Sequence, residues 1–235
     1  MQQILDKIKN PTNTGEQLWN KITCKIFGKK MKNKHLVYDE TYYQENYLKH
    51  VNRWYGNLMK LYFKFIAYNC IIKTAKITKN SKILDVGCGV GIFTKELRKL
   101  DMDAIGIDVS KNAIEHSIDE NCFFVDDSKK LDFPNSYFDL IISKEVLEHI
   151  PEKDIDGCIK EWDRVGKNKM IHIIAVTERG TSSIDDPLHI TMKPEKWWIN
   201  KFKEHNYKAI RRPSKLFFGL RGTHGYFMFI KNKKK

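Results

Sequence analysis

Between Ser81 and Thr94 the chain reads SKILDVGCGVGIFT, and this stretch limits the fold more tightly than any other. Ile83, Leu84 and Val86 predict a short buried strand, Gly87, Gly89 and Gly91 a loop nearly free of side chains, and Ile92 to Leu100 a helix. Strand, glycine turn and helix open a βαβ unit and hence a parallel sheet. Three alternating glycines turn the backbone sharply and leave room for a ligand to lie against bare peptide groups.

The kind of ligand follows from what accompanies the glycines. A dinucleotide turn needs G-x-G-x-x-G, whereas the spacing here is G-x-G-x-G, with Ile92 where the third glycine would fall. Asp85 adds a carboxylate two residues before the first glycine. It would repel a pyrophosphate and attract a ligand carrying an ammonium and a sulfonium. With Leu84-Asp85-Val86-Gly87-Cys88-Gly89-Val90-Gly91 the chain resembles the class I S-adenosylmethionine-dependent methyltransferases. The resemblance implies S-adenosylmethionine as cofactor and S-adenosylhomocysteine as product. It also implies a Rossmann-like α/β fold: a seven-stranded, mostly parallel sheet with its last strand antiparallel and helices on both faces.

The second strand is expected over Ala104–Ile107 and ends in Asp108, 21 residues beyond Gly87. At that distance a carboxylate meets ribose hydroxyls, although Asp108 or Ser110 would equally cap the next helix, Lys111–Asp119. By resemblance, Cys88 in the loop and Val109 after Asp108 are further cofactor positions. Cys122–Val125 reads as a third strand, followed by DDSKKL. In the family an Asp four residues before the Leu accepts from the adenine amine, which points to Asp127 with the amide of Ser128 beside it. The neighbouring Asp126 leaves that choice open by one residue. Phe138–Ile142 reads as the fourth strand, its tip bringing Ser143, Lys144 and Glu145 towards the sulfonium. In the family the segment matched by Glu145–His149 begins a helix edging the active site, with carbonyls near Lys144 taking the ammonium.

Two histidines are candidates for a catalytic base. His149 has an unperturbed pKa near neutrality and lies in that segment, while His189 lies in the loop Thr177–Lys193, beyond the fifth strand, Met170–Val176. Asp186-Pro187-Leu188-His189 followed by Pro194-Glu195-Lys196-Trp197-Trp198 resembles small-molecule methyltransferases of the ubiquinone-biosynthesis-like and sugar-modifying branches. That resemblance favours His189 as base or acceptor-orienting residue. Each histidine also has a plain structural reading, as a bonded helix residue or a surface loop residue.

The remaining elements are helices at Asp154–Val165 and Trp197–Tyr207, a sixth strand at Lys208–Arg212 and a seventh at Gly225–Lys231. The short link between the last two implies an antiparallel pair. Residues 1–78 are expected to form a helical N-terminal cap and lead-in helix ahead of a methyltransferase domain at 79–235. Tyr38, Tyr42, Tyr43 and Tyr47 are possible walls of an acceptor pocket, and Arg53 a possible partner for the methionine carboxylate.

With 41% hydrophobic and 30% charged residues the composition suits a globular protein, and Lys64 interrupts the most apolar run, Leu61–Ile72. No transmembrane segment or secretion signal is therefore expected, and five cysteines without a C-x-x-C pair suit free thiols in a reducing cytoplasm rather than a metal site. Charge is segregated: residues 1–82 hold 16 Lys and Arg against 5 Asp and Glu, 83–192 hold 13 against 22, and 193–235 hold 13 against 2. Basic flanks around an acidic centre are either a solvated surface or a means of gathering RNA or another anionic partner. Three functions therefore compete: O- or N-methylation of a small-molecule acceptor such as a sugar or biosynthetic intermediate, methylation of RNA or another macromolecule, and binding of the cofactor without catalysis.

Overall fold

The computed structural model describes residues 74–125, 127–177, 188–210 and 224–232. The expected N-terminal cap, with its tyrosines and Arg53, lies outside them apart from its last residues, as do Asp126, Asp185 and Asp186.

Seven strands form one sheet: β1 (Lys82–Val86), β2 (Asp103–Asp108), β3 (Cys122–Phe124), β4 (Leu140–Lys144), β5 (Lys169–Ala175), β6 (Tyr207–Ile210) and β7 (His224–Lys231). Their order is β3-β2-β1-β4-β5-β7-β6. Neighbours from β3 to β5 run parallel, while β7 lies antiparallel between β5 and β6.

Alternation along the strands divides the core into two layers. Leu84, Val86, Ile105, Ile107, Ile141 and Ile174 pack with α3 (Glu152–Val165) and α4 (Glu195–Glu204) through Ile159, Trp162, Trp198 and Phe202. Ile83, Ala104, Leu140, Ile142 and Ile173 face the other way, towards Phe93 and Leu97 of α1 (Ile92–Arg98). Asp85 is directed to this second face, where its carboxylate accepts from Thr94 Oγ1 of α1 at 2.8 Å.

Several boundaries differ from the sequence expectation, each for a local reason. The fourth strand begins two residues later than expected, because Phe138 makes an isolated bridge to Gly166 instead of entering the ladder with β1. Its end therefore takes in Ser143 and Lys144, and Ser143 Oγ lies 2.8 Å from Nδ1 of buried His172 on β5. The helix after β2 is only α2 (Lys111–Glu115), capped by Ser110 Oγ, which accepts from the Ala113 amide. Beyond it the Ile118 amide donates to the Val90 carbonyl and draws the chain back to the glycine loop. Glu145–His149 forms no long helix but one 3-10 turn, Leu147–His149. The last helix starts earlier, behind Pro194, and ends before Asn206, whose φ of 65° leads into β6 and places Tyr207 in a strand.

Candidate active site

The carboxyl ends of β1, β2 and β4 bring the expected site residues to one edge of the sheet. Gly87, Gly89 and Gly91 all have positive φ, but they serve different ends. A β-carbon at Gly87 would meet Val146 Cγ2 at 2.3 Å, and one at Gly91 would meet Cys122 Sγ at 2.4 Å. Those two glycines allow close approach within the protein itself. At Gly89 a β-carbon would have nothing within 4 Å among the described residues, so the space they keep clear lies at the middle glycine.

Asp108 stands beside that space at the tip of β2. One carboxylate oxygen accepts from the Gly89 amide and the other from the Ser110 amide, each at 2.8 Å. Burial pushes its pKa up, while these backbone bonds favour the anion. The side chain is thus fixed before any ligand arrives. Ser110, not Asp108, is the helix cap.

Asp85 is 3% exposed, and burial raises its carboxyl to about 7. The Thr94 hydroxyl and the charge of Lys144 oppose that rise, and neighbouring Asp108 adds to it. Cys88 Sγ approaches the Gly89 carbonyl at 3.5 Å, and burial keeps its thiol protonated well above the ordinary range. Val109 follows Asp108 in the same turn and is half-buried.

The loop after β3 closes on itself and on α3. Asp127 Oδ1 accepts from the Lys129 amide at 2.8 Å, and the Ser128 carbonyl accepts from Trp162 Nε1 at 3.2 Å. Trp162, fully buried, fastens this loop to the core. At the end of β4, Lys144 Nζ pairs with the Glu145 carboxylate. Glu145 itself has φ 54°, an uncommon conformation for a residue with a side chain, and its amide donates to the Ile173 carbonyl at 2.8 Å.

The two histidines, 40 positions apart in the chain, lie together. Their ring centroids are 4.7 Å apart with an interplanar angle of 70°. His149 Nδ1 lies 3.0 Å from the Leu188 carbonyl, which can only accept. Nδ1 therefore carries the hydrogen, and in the neutral ring Nε2 holds the lone pair.

Glu148 is the residue that sequence reasoning missed. It is fully buried, Oε1 accepts from the Ala175 amide at 2.8 Å, and Oε2 has no hydrogen-bond partner among the described residues. Burial raises its pKa to about 8. A glutamate between Leu147 and His149 gives no sign of this in sequence, since the amide it bonds lies 27 positions away.

Residues 84–174 match the family model described as "Methyltransferase domain". The chain is 32% identical over 139 residues to a "Ubiquinone biosynthesis O-methyltransferase" of Pelagibacter ubique, covering 54% of this chain and 57% of that protein. It is 40% identical over 82 residues to "Phosphoethanolamine N-methyltransferase 3" of Arabidopsis thaliana, covering 31% of this chain and 16% of that protein. The chain thus spans little more than half of the first relative and a smaller part of the second. Among solved structures, the PH0226 protein from Pyrococcus horikoshii shares the fold with a TM-score of 0.61 at 16% identity, covering 83% of this chain and 100% of that one. The match over 84–174 begins in β1 and ends in β5, so it takes in the glycine loop, Asp108 and the Leu147–His149 turn. Over these residues the chain is similar to methyltransferase domains, and the likeness takes in the strand, glycine loop and second strand tip that hold Asp85 and Asp108.

Proposed function

We propose that this protein transfers a methyl group from S-adenosylmethionine to a hydroxyl or amine of a small-molecule acceptor. The observation that carries this reading is Asp108, held by the Gly89 and Ser110 amides beside the open space at Gly89. A carboxylate so oriented suits two ribose hydroxyls and would repel a ribose phosphate.

The other residues fit the same ligand. Asp85, inside the fold, offsets the positive charge of the methionine end, and Gly87, Cys88, Gly89 and Gly91 supply the wall beneath it. Val109 lies along the adenosine, and the loop of Asp127 and Ser128 faces the adenine. The turn after Lys144 borders the ammonium. When bound, S-adenosylmethionine supplies an electrophilic methyl on a sulfonium whose leaving group is a neutral thioether. The chain's own contribution is to orient the acceptor, exclude water and remove a proton. His149 Nε2 accepts the proton of the acceptor hydroxyl as the new bond to carbon forms, and His189, packed against the ring, orients the acceptor. The names of both relatives, an O-methyltransferase and an N-methyltransferase of small molecules, support this acceptor class. The N-terminal residues 1–78 would cap the acceptor side of the domain at 79–235.

The test is turnover of S-adenosylmethionine with a panel of hydroxylated and amine acceptors, read by mass spectrometry as a product heavier by one CH2. His149→Ala is expected to lower kcat by about 10²–10⁴-fold while leaving S-adenosylmethionine affinity unchanged. Methyl label recovered in RNA and in no small acceptor would overturn the acceptor class.

Asp85 makes cofactor binding pH-dependent. Its carboxyl titrates near 7 in the folded protein, and only the anion attracts a cation. Affinity for S-adenosylmethionine is expected to rise by roughly threefold to tenfold from about pH 5.5 to about pH 7.5. Calorimetry on Asp85→Asn should show weaker binding with that rise removed, and an unaltered pH profile in this variant would exclude Asp85 as its source.

A further inference from the structure

The residue between Leu147 and His149 carries an inference that rests on the reading of the two histidines as the acceptor edge. Glu148 touches both strands of the chain that bound this edge. Its Oε1 accepts from the Ala175 amide at the end of β5, and its backbone carbonyl accepts from the Thr191 amide at 2.9 Å. Thr191, itself buried, donates from Oγ1 to the Ile150 carbonyl at 2.6 Å. One residue before Glu148, buried Leu147 anchors the turn in the core. One residue after it, His149 is bonded to the Leu188 carbonyl. Val176 and Lys193 then close the two strands in an isolated parallel bridge. The loop that leaves β5 and returns at Leu188 is thereby tied to the Leu147–His149 turn at both of its ends.

We propose that Glu148 is a positioning residue for methyl transfer, whose buried carboxyl fastens this turn to the end of β5 while its backbone carbonyl holds the returning segment, and so keeps His149 against His189. The carboxyl acts in its neutral form. A charge there would be fully buried with Oε2 unpartnered among the described residues, a costly arrangement. The charged groups that act on it are Glu145 and Lys144 at the end of β4, in opposite senses. His172 on β5 is held neutral by burial, with a pKa near 3, and contributes no charge. Ionisation of Glu148, centred at about 8, is therefore expected to loosen the turn as pH rises, by driving a desolvated anion towards water.

Nuclear Overhauser contacts between the His149 and His189 rings, in protein labelled at histidine and saturated with S-adenosylhomocysteine, test this. In the wild type the contact is expected at pH about 7 and should be lost by about pH 9, as the carboxyl passes its pKa of about 8. Glu148→Gln, which imitates the neutral acid, should keep the contact at both pH values. Glu148→Ala should lose it at both, with S-adenosylhomocysteine affinity by calorimetry within about threefold of wild type. Should Glu148→Ala fail to fold, the pH dependence of the wild type against Glu148→Gln decides alone. A contact that persists at high pH in the wild type, or that vanishes in Glu148→Gln as in Glu148→Ala, overturns the proposal. Because ring contact is read without an acceptor, a failure to find turnover would fall on the proposed function and not on the role of Glu148 in the turn.

Discussion

Asp108→Ala is expected to weaken S-adenosylmethionine binding by about tenfold to a hundredfold. Hydrogen bonds to a charged group contribute about 1.5–3 kcal/mol, and about 1.4 kcal/mol is a factor of ten in affinity. The carboxylate accepts from the Gly89 and Ser110 amides, and in the proposed function it also offers its remaining lone pairs to the ribose, so the variant removes both together. Asp108→Asn separates them in part, since its one amide oxygen can accept from either the Gly89 or the Ser110 amide while the charge and the other accepted bond are lost. Calorimetry should rank wild type above Asn and Asn above Ala. Equal affinity in wild type and Ala would refute the ribose assignment.

The largest loss of stability is expected at Gly87. An alanine there would bear a β-carbon 2.3 Å from Val146 Cγ2 at a φ of 72°. The left-handed backbone costs about 1–2 kcal/mol and overpacking about 1–3 kcal/mol, so Gly87→Ala should destabilise the fold by about 2–5 kcal/mol. Thermal unfolding should show a midpoint lowered by roughly 5–15 °C. Adding Val146→Ala should recover the part due to the clash and none of the part due to φ. Gly89→Ala is the informative contrast. With nothing within 4 Å of the new methyl, it should cost only the backbone strain, about 1–2 kcal/mol, yet occupy space meant for the ligand and weaken S-adenosylmethionine binding. Undiminished binding in Gly89→Ala would mean that the cofactor lies elsewhere.

The parts of the fold that could be read from the sequence are those in which local chemistry and tertiary role coincide. Ile83, Leu84 and Val86 are apolar and buried on two faces, Gly87 marks a turn that needs positive φ, and Asp108 closes a strand whose tip meets the Gly89 amide. The antiparallel placement of β7 followed from the short link before it. Boundaries were less legible because a strand buried on both faces has no alternation to mark its ends. Phe138 and Ile142 are equally apolar, yet only the second enters the ladder. The site divides in the same way. Asp108 and the glycines are consecutive with the elements that present them. The meeting of His149 with His189 and the burial of Glu148 depend on a return of the chain after β5, which periodicity does not encode. The glycine motif also conceals a division of labour, since Gly87 and Gly91 answer to Val146 and Cys122 and only Gly89 faces open space.

The position of β7 has a consequence for how the molecule is made. Among the described strands, β6 is joined to the sheet only through β7, and β7 covers the whole length of β5 from Lys169 to Ala175. During synthesis β1 to β5 can assemble while residues 224–231 are still unmade, and β6 emerges with no strand to pair with. Until the last strand arrives, β5 presents an unpaired and almost entirely apolar edge, the kind that captures another chain. Completion of the sheet thus waits on residues 224–231 leaving the ribosome, and a pause in translation before them would prolong the interval in which the nascent protein is prone to aggregate.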